Sequence, residues 1–176
     1  MEIITPRLVL RDFTPSDLTE FLAYHAEPAY AQFYDRPEID PAQVRALMQK
    51  FIDWAAAAPR RNYQLAIVEP GGSPGPIGCC GVRTQGLEEG MAHFGIELAP
   101  PCWGRGLATE AGGAILSFAF RDLGIREIRS ITITENVSVA RLVARLGFTG
   151  VETRPGPGWM SERGWTRTEW RLGAAR

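Results

Sequence analysis

Trp103-Gly104-Arg105-Gly106-Leu107-Ala108-Thr109-Glu110-Ala111 sets two glycines, one residue apart, at the head of an amphipathic helical pattern. Met91 to Leu98, just upstream, reads as a strand, so the local order is strand, glycine turn, helix. The first turn of a helix has backbone N–H groups without intrahelical partners and lies at the positive end of the helix dipole. The turn therefore reads as a cradle for an anion, phosphate above all. Two familiar nucleotide motifs fail at particular letters. G-x-G-x-x-G/A needs Gly or Ala where Thr109 stands, and a P-loop needs Gly-Lys-Ser/Thr at its end.

Working outward, the helix is expected from Arg105 to Leu123, with Leu107, Ala111, Ile115, Phe118 and Leu123 near one face and Gly124 as its cap. Upstream, Leu8 to Asp12 alternates as a strand, and Thr14-Pro15-Ser16-Asp17 opens a helix reaching about Tyr24. Asp40-Pro41-Ala42-Gln43 opens a second helix, which runs through Trp54. Asn62 to Val68 is a strand, and Glu69 to Pro76 is a hairpin connection before the next strand at Ile77. Downstream, Glu127 to Thr134 is a strand, and Asn136 caps a short helix with Val139, Leu142, Val143 and Leu146 inward. Gly147 ends that helix and Phe148 folds back on it. A strand at Gly150 to Thr153, a turn at Pro155 to Gly158 and a strand from Trp165 to Leu172 complete an α+β pattern, a sheet flanked by helices.

A chain of 176 residues with 45% hydrophobic side chains fits one domain, residues 1–176. A net charge of −1 argues against nucleic-acid or membrane partners held by a broad basic field. With no spanning run and no signal peptide pattern at Met1 to Arg7, the expected location is cytoplasmic. Cys79, Cys80 and Cys102 support neither a disulfide framework nor a zinc site, and Cys79 and Cys80 should face opposite sides of a strand.

The glycine turn resembles the acyl-CoA pyrophosphate loop of the GNAT superfamily of N-acetyltransferases. The family's Q/R-x-x-G-x-G/A pattern falls on Pro101 to Gly106, with both glycines matched and the leading polar position not. The wording Trp-Gly-x-Gly-x-Ala-Thr-Glu-Ala is similar to the RimJ/RimL-type branch. Thr5 to Arg11 is similar to that branch's opening strand, Ile77-Gly78 to its third strand, and Thr134-Glu135-Asn136 through Leu146-Gly147-Phe148 to its second CoA-binding segment. The resemblance implies a mixed, mostly antiparallel central sheet whose fourth and fifth strands splay apart, with acetyl-CoA in the wedge and no metal.

Forming an amide from a thioester requires a neutral amine, a polarised carbonyl and discharge of the leaving thiolate. The resemblance assigns carbonyl polarisation and pairing with the pantetheine arm to the backbone around Ile96 to Leu98. It assigns phosphate binding to the loop at Trp103, Gly104, Gly106, Leu107 and Ala108 and a pantetheine contact to Asn136; by their own chemistry Arg105 and Arg141 are candidate cations for the phosphates and Thr109 a candidate first-turn hydroxyl. Glu110 would repel phosphate and is read as facing away. His93 and Glu97 lie four apart on one strand face, so both are candidate bases, with Glu97 nearer the acetyl position. The family's acid positions fall on Val143 (a Tyr in many relatives) and Val139 (a Ser in the branch). That leaves Ser138, one residue early and about 100° round the helix, or water.

The acceptor site is expected from Pro28 to Ile39, with Tyr30, Phe33, Tyr34 and Asp35, and from the Arg154 to Trp165 turn, with Trp159. The implied activity is transfer of an acetyl group from acetyl-CoA to a primary amine by direct attack in a ternary complex. The acceptor is a protein N-terminal α-amine, as on a ribosomal protein, or a small amine, and a homodimer is left open. An acyl-CoA-binding regulatory module with little turnover is the alternative, which the valines at 139 and 143 permit.

Overall fold

Eight strands hydrogen-bond into one sheet in a computed structural model describing residues 1–72 and 75–174, the side chains of Arg36 and Pro37 excepted. Ser73 and Pro74, within the expected Glu69 to Pro76 connection, lie outside the described residues. In chain order the strands are β1 (Glu2–Ile4), β2 (Val9–Arg11), β3 (Asn62–Val68), β4 (Gly78–Arg83), β5 (Met91–Leu98), β6 (Glu127–Ile133), β7 (Thr149–Pro155) and β8 (Thr166–Gly173). The helices are α1 (Leu18–His25), α2 (Pro28–Ala31), α3 (Pro41–Ala56), α4 (Leu107–Arg121), α5 (Val137–Arg145) and α6 (Gly158–Glu162).

The spatial order is β1-β2-β3-β4-β5-β6-β8-β7. Neighbours are antiparallel except β5 and β6, which are joined in parallel because the α4 crossover carries the chain back to the same end of the sheet. β6 pairs with β5 only from Met91↔Glu127 to His93↔Arg129. Beyond that point β5 runs on to Leu98 beside β4 alone, while β6 stays paired with β8 as far as Ile133. This is the expected splay, one strand later in the count because Glu2–Ile4 adds a strand.

Strand alternation sorts side chains onto two cores. Leu65, Ile67, Cys80, Val82, Ala92 and Phe94 pack against Leu107, Ala111 and Ile115 of α4 and Val143 of α5. Ala66 and Cys79 pack on the other face against Phe21 and Tyr24 of α1, Tyr30 of α2 and Val44, Met48 and Phe51 of α3. The adjacent cysteines do face opposite sides. Asp17, 1% exposed, ties α1 to β2 by accepting from Arg11 Nη2 and Nη1 at 2.7 and 2.8 Å.

Several boundaries move. Pro15–Asp17 is a single 3₁₀ turn that precedes α1, which starts at Leu18. α4 begins at Leu107 rather than Arg105, because both glycines of the turn hold left-handed backbone that a helix cannot include. β1, α2 and α6 are short and lacked a readable period. The Asn136 helix ends as expected: Gly147 has φ +92° and Phe148 N–H donates to Val143 O at 3.0 Å, bringing the Phe148 ring 5.6 Å from Phe94.

Candidate active site

At the head of α4, Gly104 and Gly106 have φ of +74° and +78°, conformations that glycine reaches without Cβ strain. Gly106 is the helix cap, so the first-turn amides of α4 have no partner inside the helix. A Cβ built at Gly104 would meet nothing within 4 Å, so the mouth of the turn is open.

Glu110 faces away from the cleft, as expected, and fixes the turn from behind. It accepts from Thr5 Oγ1 at 2.7 Å, Arg7 N at 2.9 Å and Arg7 Nε at 2.7 Å, while Arg7 Nη1 donates to the carbonyl of Arg105 at 2.9 Å. Burial raises the Glu110 pKa, but these bonds outweigh it and hold the carboxyl below its ordinary range. The Arg105 guanidinium turns away onto Glu69, at 3.1 and 2.5 Å, so the loop presents backbone rather than this side chain.

The turn forms one wall of a cleft of about 670 Å³. Trp103, Gly104, Gly106, Leu107, Ala108 and Thr109 line it on that side, and Ile96, Glu97 and Leu98 of β5 form its back. Asn136, Ser138, Val139 and Arg141 close the α5 side, and Tyr30, Phe33 and Tyr34 the α2 side. The wedge between β5 and β6 supplies free strand edge. Ala99 N–H donates to Ile77 O at 2.8 Å, towards β4; successive amides alternate, so those of Ile96 and Leu98 point into the gap. The Leu98 carbonyl is taken by the Trp103 indole at 2.7 Å. Asn136 caps α5 by accepting from Val139 N at 3.2 Å, which leaves its amide NH₂ for other partners.

Glu97 sits in a cluster that spacing did not reveal. Oε1 accepts from Tyr24 at 2.8 Å and from the Cys79 thiol at 3.2 Å. Oε2 accepts from Tyr30 at 2.6 Å and, weakly, from Tyr34 at 3.4 Å. Tyr30 and Tyr34 stack with centroids 4.6 Å apart. Burial first, and the charge of Glu97 second, push all three phenol pKa values and that of Cys79 well up, so these groups remain protonated donors. Behind the carboxylate lies His25, 3% exposed, its Nε2 at 3.6 Å from Oε1. His25 Nδ1 is 2.7 Å from Phe21 O; a carbonyl only accepts, so Nδ1 carries a proton and Nε2 is the nitrogen left to face Glu97. Tyr24, His25 and Cys79 went unremarked as site residues. The one available signal was density: three of the chain's four tyrosines fall between 24 and 34.

Other predicted residues lie apart from the cleft. His93 sits where β5 still pairs with β6, opposite Arg83 and Arg129, about 13 Å along the strand from Glu97. Burial and then those two arginines lower its pKa. Val143 is 1% exposed, inside the core. Asp35 donates its backbone N–H to Glu38 outside the cleft lining. Trp159 also stays off the lining, but the two expected acceptor segments do meet. Phe33 packs 5.7 Å from Trp165, Arg163 donates to Gln32 O at 3.0 Å, and the Arg163 guanidinium lies 5.3 Å from the Trp159 ring. Among the described residues no group of three or more His, Cys, Asp or Glu could hold a metal ion, and no helix is long and apolar enough to cross a membrane.

A glycine turn heading a helix, beside a parallel pair that parts halfway, defines an acetyltransferase fold. The family model for the acetyltransferase (GNAT) domain matches residues 7–149, and the chain belongs to this family. It is an N-acetyltransferase, and GNAT acetyltransferases use acetyl-CoA. Over 147 residues it is 26% identical to the uncharacterized N-acetyltransferase p20 of Bacillus licheniformis, covering 83% of this chain and 81% of that one. The fold is similar to ribosomal-protein-S5-alanine acetyltransferase from Vibrio fischeri, with TM-score 0.79, 13% identity and coverage of 98% and 96%. It is also similar to RimL, a ribosomal L7/L12 α-N-protein acetyltransferase in complex with coenzyme A, with TM-score 0.79, 15% identity and 98% of each chain covered.

Proposed function

We propose that this chain, as one domain spanning residues 1–176, moves an acetyl group from acetyl-CoA to a primary amine by direct attack in a ternary complex. The observation that carries the reading is Glu97, held by two close tyrosine hydroxyls beside the free edge of β5 in a cleft headed by the glycine turn. The residues fit acetyl-CoA. Open first-turn amides at Leu107 to Thr109 suit its phosphates, and the Asn136 NH₂ and the exposed β5 edge suit its pantetheine arm. Acetyl-CoA supplies the acetyl thioester. The amides of Ile96 and Leu98 polarise the carbonyl, since they point into the gap and need no rearrangement as negative charge develops.

Glu97 attracts the acceptor's ammonium and takes its proton, directly or through a water. The tyrosines remain protonated and orient the carboxylate. For the thiolate, Val139 and Val143 offer no proton, which leaves Ser138 on the α5 side of the cleft, or water, to discharge it. The acceptor is a peptide N-terminus or a small amine.

The test is a thiol-release screen with acetyl-CoA against peptides with free N-termini and small amines at matched concentration. Release with at least one acceptor is expected. Acetyl-CoA binding without release across the whole panel would overturn the reading in favour of a CoA-binding module without turnover.

A further inference from the structure

Next to Glu97, on the same face of the sheet, register places Gln64 opposite Gly81 and Gly81 opposite Gly95. Neither glycine is required by positive φ. Gly81 is required for room, since a Cβ there would lie 2.3 Å from Tyr63 O and 2.5 Å from Gln64 Oε1, and a Cβ at Gly95 would crowd Arg83 Nη2 at 3.0 Å. An amide and a guanidinium therefore lie flat across two glycines, between the Cys79–Glu97 row and the Arg83–His93 row. Gln64 Oε1 is buried without a hydrogen-bond partner.

Among the described residues the side chain of Arg83, half-buried, makes neither an ion pair nor a hydrogen bond. Arg11 and Arg60 bind Asp17 and Asp12, and Arg129 across β6 is taken by Glu127 at 2.8 Å. Burial lowers the Arg83 pKa, opposed only by the more distant Cys79 and Glu97. Even a half-buried cation without an anion carries a desolvation cost, and a guanidinium is shaped to take a carboxylate on two parallel N–H bonds.

We propose that Arg83 receives a carboxylate carried by the acceptor while Glu97 holds the acceptor's ammonium. This rests on the reading of Glu97 given above, and it names the substrate class: an amine with a carboxylate a few ångströms along the molecule. Gly95, under the guanidinium, is two residues from Glu97, about 7 Å along the strand, a gap that an acidic amino acid bridges from its α-amine to its side-chain carboxylate with a hydrogen bond at each end. Free acidic amino acids and peptides that begin with Asp or Glu both carry this pair of charges. Polyamines would set a second cation against Arg83 and are disfavoured.

The experiment compares acceptors that differ only in charge: Glu-initiated and Gln-initiated peptides, glutamate and glutamine, and spermidine. Each is assayed by thiol release with the wild type, Arg83→Met and Arg83→Lys. The wild type should favour the carboxylate twin by about 10- to 100-fold in kcat/KM, the range of a charge-assisted hydrogen bond. The peptide and free-acid arms identify which source is used. Arg83→Met should erase the preference through KM, with the larger loss on the carboxylate twin, and Arg83→Lys should restore part of it. The melting temperature of Arg83→Met should hold or rise, because a costly unpaired charge is removed; a merely structural arginine would lower it. Equal use of the twins by the wild type, or an equal loss on both in Arg83→Met, overturns the proposal. If no thiol is released at all, calorimetric binding of the same pairs with CoA present gives the answer. Tighter binding of the carboxylate twin to the wild type alone supports the site, and equal binding refutes it.

Discussion

Replacing Glu97 with Gln changes one atom's chemistry and almost no volume. The carboxylate accepts from Tyr24 at 2.8 Å on one oxygen and from Tyr30 at 2.6 Å on the other. In the Glu97→Gln variant one of those oxygens becomes an NH₂ facing a hydroxyl donor, and that hydroxyl must turn to accept. Two charge-assisted bonds become neutral ones, a loss of about 1 kcal/mol each, and relief of the buried charge offsets part of it. A net cost of about 1 kcal/mol corresponds to a drop of about 2–4 °C in a chain of this size, so the variant folds. Removal of a positioned base costs about 10²- to 10⁴-fold in rate. The assay is steady-state thiol release with the best acceptor, beside calorimetric acetyl-CoA affinity. That affinity should hold within about twofold, because the amides of the β5 edge and the glycine turn are untouched. A loss in kcat/KM smaller than about tenfold, or 1.4 kcal/mol, would refute the assignment of Glu97 as base.

Gly106→Ala puts a Cβ on left-handed backbone with its nearest neighbour, Arg7 Nη2, at an ordinary 3.6 Å, so the cost is conformational, about 1–2 kcal/mol. Thermal melting should show that loss, and calorimetry a weaker acetyl-CoA affinity by about tenfold; unchanged affinity would remove the turn from the site. Glu110→Gln leaves Arg7 half exposed and its ion pair screened, so urea unfolding should register no more than about 1 kcal/mol, with the larger effect on acetyl-CoA affinity. Asp17→Asn breaks a buried bidentate pair with Arg11 and should cost about 3 kcal/mol in urea unfolding. Burial raises the Asp17 pKa, but Arg11 and the Thr14 N–H hold it below the ordinary aspartate value. Its contribution is therefore whole above about pH 4 and fades as pH falls through the depressed folded value. The wild type should lose stability over that acid range, and Asp17→Asn should show a shallower slope there.

Much of the fold was legible because its signals are local. Period-two alternation in Asn62 to Val68 and the adjacent Cys79 and Cys80 sort side chains to opposite faces whatever lies beyond them. The α4 stripe marks a buried helix face. What went unread was short, namely β1, α2 and α6, where three to five residues carry too little periodicity. Glu110 shows the same limit in a side chain. Its place in the first turn was legible, but its fastening to Arg7 spans 103 residues of chain.

The sequence alone determined the glycine turn, the helix behind it and the Asn136 cap, because positive φ, capping and amphipathic period depend on residues a few positions apart. Only the tertiary structure decided the surroundings of Glu97, whose donors Tyr24, Tyr30 and Tyr34 lie 73, 67 and 63 residues away. The tertiary structure likewise laid Arg83 across Gly95 through the register of two strands. Such neighbours depend on how α1 and α2 pack on the sheet and on where β6 leaves β5. Those are long-range outcomes of core packing that no local spacing records.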